Sequence, residues 1–409
     1  MKPQIEVPFH RPSIGEEEIQ EVVSTLRSGW LTTGPRTAAF EQEFRTYVDA
    51  PHAQAVNSCT AGLHLSLAAL GIGPGMEVIT TPLTFCATVN VILHVGATPV
   101  LADIGPDGNI DAASVASRIT AKTRAIVPVH LAGLPCQMSS LWALARSHGL
   151  HIVEDAAHAA GARYMNQPVG AGNSPSGNHS DAAVFSFYAT KNLTTGEGGM
   201  ITTANEALAE KVKILCLHGI SKNAWDRYTD RGLWFYDVLF PGFKYNLTDI
   251  QSAIGIHQLR KLDRFIESRT RYAALYNQLL GEVEELELPP DRSDSRHAWH
   301  LYIPRLKLEH LQITRDDFIT ALRERGIGTS VHFIPIPLHR FFAAFANRPE
   351  NQCPRSLALY PRLVSLPLYP AMSEAEVEFV ASATRDILQS ARKRRPISAS
   401  RAMAAVSSE

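Results

Sequence analysis

The sequence predicts an α/β protein with a large domain on a mostly parallel sheet and a smaller C-terminal α+β domain beside it. Two observations predict this. From about residue 53 to 203, short β-rich runs alternate with helical stretches: Ala53–Val56, Val78–Thr81, Pro99–Asp103, Ala125–Val129, Ile152–Asp155, Ala183–Phe187 and Gly198–Thr203. Such alternation builds a parallel sheet sandwiched by helices. The second observation is a change of pattern downstream. Residues 205–217 read as a helix, 218–245 as an aromatic, turn-rich stretch, and a long helical pattern runs from about Asn246 to 283. After it come a strand over Ala298–Pro304, a helix over Arg315–Arg325, a strand over Gly328–Phe333 and a helix over Ser373–Ser390. The expected division is 1–260 for the large domain and 261–392 for the small one, with 393–409 a disordered tail.

Composition narrows the function classes. The 409 residues are 45% hydrophobic and 19% charged, with a net charge of −1, as in an ordinary soluble globular protein. A near-neutral chain whose one basic run, Arg392-Lys-Arg-Arg395, lies in the tail offers no electrostatic surface for nucleic acid. No apolar run approaches the ~20 residues that span a bilayer, and the first residues lack a secretory signal's apolar core. No membrane partner and a cytoplasmic location are therefore expected. The five cysteines are odd in number and form no C-x-x-C pair, which fits reduced thiols. His297-x-x-His300 has neither nearby cysteines nor an H-E-x-x-H pattern, so no metal site is expected.

Four motifs carry chemistry, and each has an ordinary structural explanation beside the functional one. Ser186-Phe-Tyr-Ala-Thr-Lys191 runs from the end of a buried strand into the turn Asn192-Leu-Thr-Thr-Gly-Glu-Gly-Gly199. A lysine there is either a solvated surface residue or a partly desolvated amine, poised to form an imine with an aldehyde cofactor. His151-Ile-Val-Glu-Asp-Ala-Ala-His158 is a strand with Asp155 at its carboxyl end, the edge where open α/β sheets bind ligands. Asp155 there is either a helix N-cap or the acid that keeps a pyridine nitrogen protonated, as pyridoxal phosphate requires. His158 is three residues away, within reach of the same ring or simply structural. Asn57-Ser-Cys-Thr-Ala61 opens an apolar helix, so Cys59, Thr60 and Ala61 offer amides to a phosphate unless they serve only as a cap, and Ser186 adds a hydroxyl. Thr81-Pro-Leu-Thr-Phe-Cys-Ala-Thr88 again follows a strand, with Phe85 either a core residue or a platform for an aromatic cofactor.

With these motifs in order, the chain resembles the DegT/DnrJ/StrS family of pyridoxal-phosphate sugar aminotransferases, whose fold is type I, aspartate-aminotransferase-like. The likeness runs from Pro8 to about Leu388. It includes Ser28-Gly-Trp-Leu-Thr-Thr-Gly-Pro35, Pro128-Val-His-Leu-Ala-Gly133, Glu154-Asp-Ala-Ala-His158, the Lys191 segment and Ser365-Leu-Pro-Leu-Tyr-Pro370. Pro241-Gly-Phe-Lys-Tyr-Asn-Leu-Thr-Asp249, Glu154-Asp-Ala-Ala-His158 and His297-Ala-Trp-His300 resemble most the UDP-4-amino-4-deoxy-L-arabinose–oxoglutarate aminotransferase branch. The insert-like Gly172–His179 and the segment Ser221–Leu239 stand outside the pattern.

The resemblance implies roles residue by residue. Lys191 holds pyridoxal 5'-phosphate as an imine and Asp155 pairs with its ring nitrogen. Phe85 stacks on the ring and His158 lies near its phenolic oxygen. Thr60, Ala61 and Ser186 grip the phosphate, and Asn246 reaches in from the second subunit of a homodimer with shared sites. Trp30, Thr32, His332 and His339 line the sugar side. The implied partners are L-glutamate and a nucleotide-linked 4-keto sugar. Relatives also include sugar 3-dehydratases, which carry histidine where Lys191 stands, and an aminobenzoate synthase. A non-catalytic regulator on the same fold is the third reading.

Overall fold

The computed structural model describes residues 6–172, 179–221, 236–343 and 352–393. The segments 172–179 and 221–239, and the tail beyond Lys393, fall largely or wholly outside these residues. The sheet strands are β1 (His52–Val56), β2 (Glu77–Thr80), β3 (Thr98–Leu101), β4 (Thr123–Val127), β5 (His151–Asp155), β6 (Ala182–Ser186) and β7 (Gly199–Thr203). Their order across the sheet is β1-β7-β6-β5-β4-β2-β3. Strands β2 to β6 pair in parallel, while β7 runs antiparallel between β1 and β6. The expected mostly parallel sheet is therefore present, with one reversed strand.

Strands β6 and β7 are buried at every residue, because helices cover both faces. Alternate side chains consequently enter different cores. Phe185, Phe187 and Met200 face one layer with Phe40 and Phe44, whereas Val184 and Ile201 face the other with Leu63 and Leu67. The Phe44 and Phe185 rings meet edge-on at 5.0 Å.

A 32-residue helix, Asp249–Leu280, carries the chain from one core to another. Its first half buries Ile256, Leu259, Leu262 and Ile266 against the sheet's aromatic layer. Its second half places Tyr272, Ala273, Tyr276 and Leu280 in a core shared with Phe318, Leu322, Val377 and Val380. Thr248 caps the helix, its hydroxyl accepting the Gln251 amide while the Gln251 side chain returns to the Thr248 N–H. The next residue, Asp249, caps a different helix. Its fully buried carboxylate accepts the Gly34 (2.7 Å), Arg36 (3.0 Å) and Thr37 (2.9 Å) amides and the Thr37 hydroxyl (2.7 Å), at the start of Pro35–Val48. That interlock holds the loop 29–34 against the long helix.

Two expected strands are absent. Residues 298–304 and 328–333 form only isolated bridges, Tyr302 with Leu366 and Ser330 with Ser365. In 298–304 the reason is that side chains take the backbone groups a ladder would use. Arg269 donates to the carbonyls of Trp299 (3.2 Å), His300 (3.2 Å) and Leu368 (2.7 Å), and Asn192 donates to that of Ala298 (2.8 Å). Trp299 also has a positive φ of 46°, which a strand does not accommodate. Among the described residues, no helix is long and apolar enough to cross a membrane, and no group of three or more His, Cys, Asp or Glu side chains is arranged to hold a metal ion.

Candidate active site

Parallel strands β5 and β6 end at Asp155 and Ser186, so both residues reach the same edge of the sheet. A cavity of about 530 Å³ opens there, lined among others by Thr60, Phe85, Asp155, His158, Ser186 and Lys191. That volume lies within the range of small-molecule sites.

The turn carrying Lys191 is built by its own threonines and glycines. The Lys191 N–H donates to the Tyr188 carbonyl (2.9 Å), the Thr194 hydroxyl to the Phe187 carbonyl (3.2 Å), and the Thr195 hydroxyl to the Glu197 carbonyl (2.7 Å). Gly196 takes a positive φ of 81°, and a Cβ on Gly199 would sit 2.7 Å from the Cys59 nitrogen. Gly199 thus lets β7 pass close under the start of the helix Cys59–Ala69. Burial lowers the Lys191 amine from its usual value to about 8, with the Cys59 thiol and the Asp155 carboxylate pulling the other way.

Asp155 is 5% exposed, and burial raises its carboxyl above the ordinary range. Its Oδ2 accepts the Thr88 hydroxyl at 2.8 Å and its Oδ1 the Ala157 amide at 3.2 Å. His158 Nδ1 accepts the Ala132 N–H at 3.3 Å, which leaves Nε2 as its protonated nitrogen when the ring is neutral. Neutral is its expected state, because burial first and Lys191 second push its pKa well down. The His158 ring stacks on Phe333 at 5.6 Å and leans on His300 at 4.3 Å.

The helix Cys59–Ala69 points its N-terminus at the cavity. Ser58 caps it by accepting the Ala61 amide at 3.1 Å. The Cys59 and Thr60 amides have no acceptor within the helix, and both residues line the cavity, a placement that suits an anion. The Ala61 N–H is bonded to the Ser58 hydroxyl, and Ala61, expected in the phosphate grip, does not line the cavity. Phe85 is 61% exposed, an unusual state for a phenylalanine and one suited to a stacking face.

Eight expected residues meet in this cavity: Cys59, Thr60, Phe85, Asp155, His158, Ser186, Lys191 and His332. His332 bonds Ser365 Oγ through Nδ1 at 2.7 Å, and burial lowers its pKa to about 4. Trp30, Thr32, Asn246 and His339 are not in the lining. Three of these four gather around Thr33: Asn246 Nδ2 donates to its hydroxyl (2.7 Å), Trp30 Nε1 donates to its carbonyl (3.1 Å), and Thr32 precedes it. His339 lies apart, beside Phe342. Sequence reasoning missed Thr84, Thr88, His300 and Phe333, which also line the cavity. The i, i+4 spacing of Thr84 and Thr88 beside Phe85 was the signal for the first pair; nothing local marks Phe333.

The donor set fits pyridoxal phosphate: two free helix amides and a serine hydroxyl for the phosphate, a buried carboxylate for the ring, an exposed aromatic face and a low-pKa amine. A sheet of this order with such a lysine at its rim defines a fold type I pyridoxal-phosphate enzyme. The chain belongs to the DegT/DnrJ/EryC1/StrS aminotransferase family, which matches residues 12–385. It is 48% identical over 387 residues to the spore coat polysaccharide biosynthesis protein SpsC of Bacillus subtilis, covering 94% of this chain and 98% of that protein. The sugar aminotransferase Spr1654 of Streptococcus pneumoniae, described as putative and solved in its PLP form, superposes with a TM-score of 0.84 at 33% identity over 94% of this chain and 99% of that one. PseC of Helicobacter pylori, an aminotransferase involved in pseudoaminic acid biosynthesis, superposes at 0.86 with 29% identity over 94% of this chain and all of that one. The protein is a sugar aminotransferase of the PLP class.

Proposed function

We propose that the protein moves an amino group from L-glutamate to C4 of a nucleotide-linked keto sugar, working as a homodimer with shared sites. The observation that carries this reading is Lys191 and Asp155 lining one cavity, each with its pKa shifted by burial. Bound pyridoxal phosphate supplies the electron sink that makes a C–H beside nitrogen acidic. Lys191 Nζ, neutral above about pH 8, takes the Cα proton of glutamate and in the second half-reaction delivers one to C4 of the sugar. Asp155 holds the proton on the ring nitrogen. His158, Phe85 and Phe333 form an aromatic wall that excludes water from the reacting atoms. The sum is glutamate plus keto sugar giving 2-oxoglutarate plus amino sugar.

A screen of nucleotide-linked 3-keto and 4-keto sugars with L-glutamate, read by mass spectrometry, tests the substrate. Amine at C4 is the expected product. Conversion of 3-keto sugars alone would end the positional assignment, and failure of glutamate where another amino acid works would end the donor assignment.

Clustering of Trp30, Thr32 and Asn246 away from their own chain's cavity supports a site completed by a second copy. Lys191→Ala and Asn246→Asp, each strongly impaired alone, are then expected to complement on mixing. In a two-fold dimer one hybrid site carries both changes and the other neither, so subunit exchange restores about a quarter of wild-type activity. Persistent inactivity after demonstrated exchange would show that Lys191 and Asn246 serve the same chain's site.

A further inference from the structure

We infer that Thr88, backed by Thr84, is a positioning residue that aims the Asp155 carboxylate into the cavity and keeps it charged. The inference rests on the reading of Asp155 as the partner of the cofactor's ring nitrogen. Thr88 is fully buried on the helix Cys86–His94, and Thr84 is 1% exposed one turn before it. Their hydroxyls lie 2.8 Å apart, and Thr88 Oγ1 lies 2.8 Å from Asp155 Oδ2.

The direction of this chain follows from what each group can do. An ionised carboxylate only accepts, so the single Thr88 proton goes to Asp155. The Thr88 oxygen is then free to accept, and Thr84 donates to it. A row of two polarised hydroxyls strengthens the terminal bond.

Other donors to Asp155 are fewer or weaker. Oδ1 takes the Ala157 amide at 3.2 Å. The Cys59 thiol is 3.9 Å from Oδ1 and 3.5 Å from the Val184 carbonyl, so its weak proton has a second acceptor. Burial favours the neutral acid, and the Thr88 hydroxyl is foremost among the groups opposing it, ahead of the Ala157 amide, Lys191 and His130. The help from Lys191 changes with the proton on its amine. That from Thr88 does not, so Thr88 holds Asp155 ionised throughout turnover. A threonine placed only to satisfy its own hydroxyl would leave the cofactor's electronics untouched.

The experiment compares Thr88→Val, Thr88→Ser and Asp155→Asn enzymes reconstituted with pyridoxal phosphate, following the visible band of the bound cofactor against pH. A weakened carboxylate lets the ring lose its proton, and a neutral ring repels the imine proton less, so the midpoint rises. Thr88→Val is expected to raise it by about one pH unit, the scale of one hydrogen bond to a charge. Thr88→Ser should restore the wild-type midpoint, and Asp155→Asn should move it further in the same direction. An unmoved midpoint in Thr88→Val beside a moved one in Asp155→Asn overturns the role of Thr88 and leaves that of Asp155 standing. No movement in Asp155→Asn overturns the reading of Asp155 itself, and this inference with it. Thermal melting shows whether the variants fold; should valine unfold the chain, Thr88→Ala set against Thr88→Ser makes the same comparison.

Discussion

A Lys191→Ala variant is expected to lose turnover by at least about 10⁴-fold, because the same amine both anchors the cofactor and moves the proton. The visible imine band should vanish while the protein still folds, since Lys191 makes only a local turn through its backbone. Its chemistry follows from its pKa. An amine held near 8 is neutral for a tenth of the time at pH 7, against roughly one part in three thousand at its ordinary value of 10.5. The rate at which the apoprotein captures pyridoxal phosphate should therefore climb with pH and level off above about 8. Full activity in Lys191→Ala, or capture still climbing steeply at pH 10, removes Lys191 from the centre of the site.

The second large effect is expected at Asp155. Replacement by asparagine preserves shape but removes the negative charge, and turnover should fall by about 10²- to 10³-fold, the size of losing a preorganised electrostatic partner. Lys191 remains to bind the cofactor, so the visible band should persist and the loss should appear in kcat. Steady-state kinetics with L-glutamate checks this. Activity within about threefold of wild type would mean that Asp155 serves the fold alone, as a buried acid held by Thr88 and Ala157.

Much of the fold was legible in the chain because parallel strands buried on both faces announce themselves as apolar runs. All seven sheet strands fall on the short runs read as strands, most of them apolar, and the Lys191, Asp155 and Ser58–Thr60 motifs sit where strands or helices begin and end. The reading failed where side chains override backbone preference. Apolar and aromatic residues at 298–304 suggest a strand, yet Arg269 and Asn192 capture the carbonyls of Ala298, Trp299 and His300 from far away in sequence. No window along the chain contains both partners of such a bond.

The site divides in the same way. By itself the sequence determined which chemical groups stand at the sheet's carboxyl edge, because strand polarity and turn glycines are local properties. Only the tertiary structure decided their state: burial that lowers the Lys191 amine and raises the Asp155 carboxyl, the Thr84–Thr88 pair behind Asp155, and Phe333 against His158. Those depend on distances between segments tens to hundreds of residues apart, and desolvation is a property of everything packed around a group rather than of its neighbours in the chain.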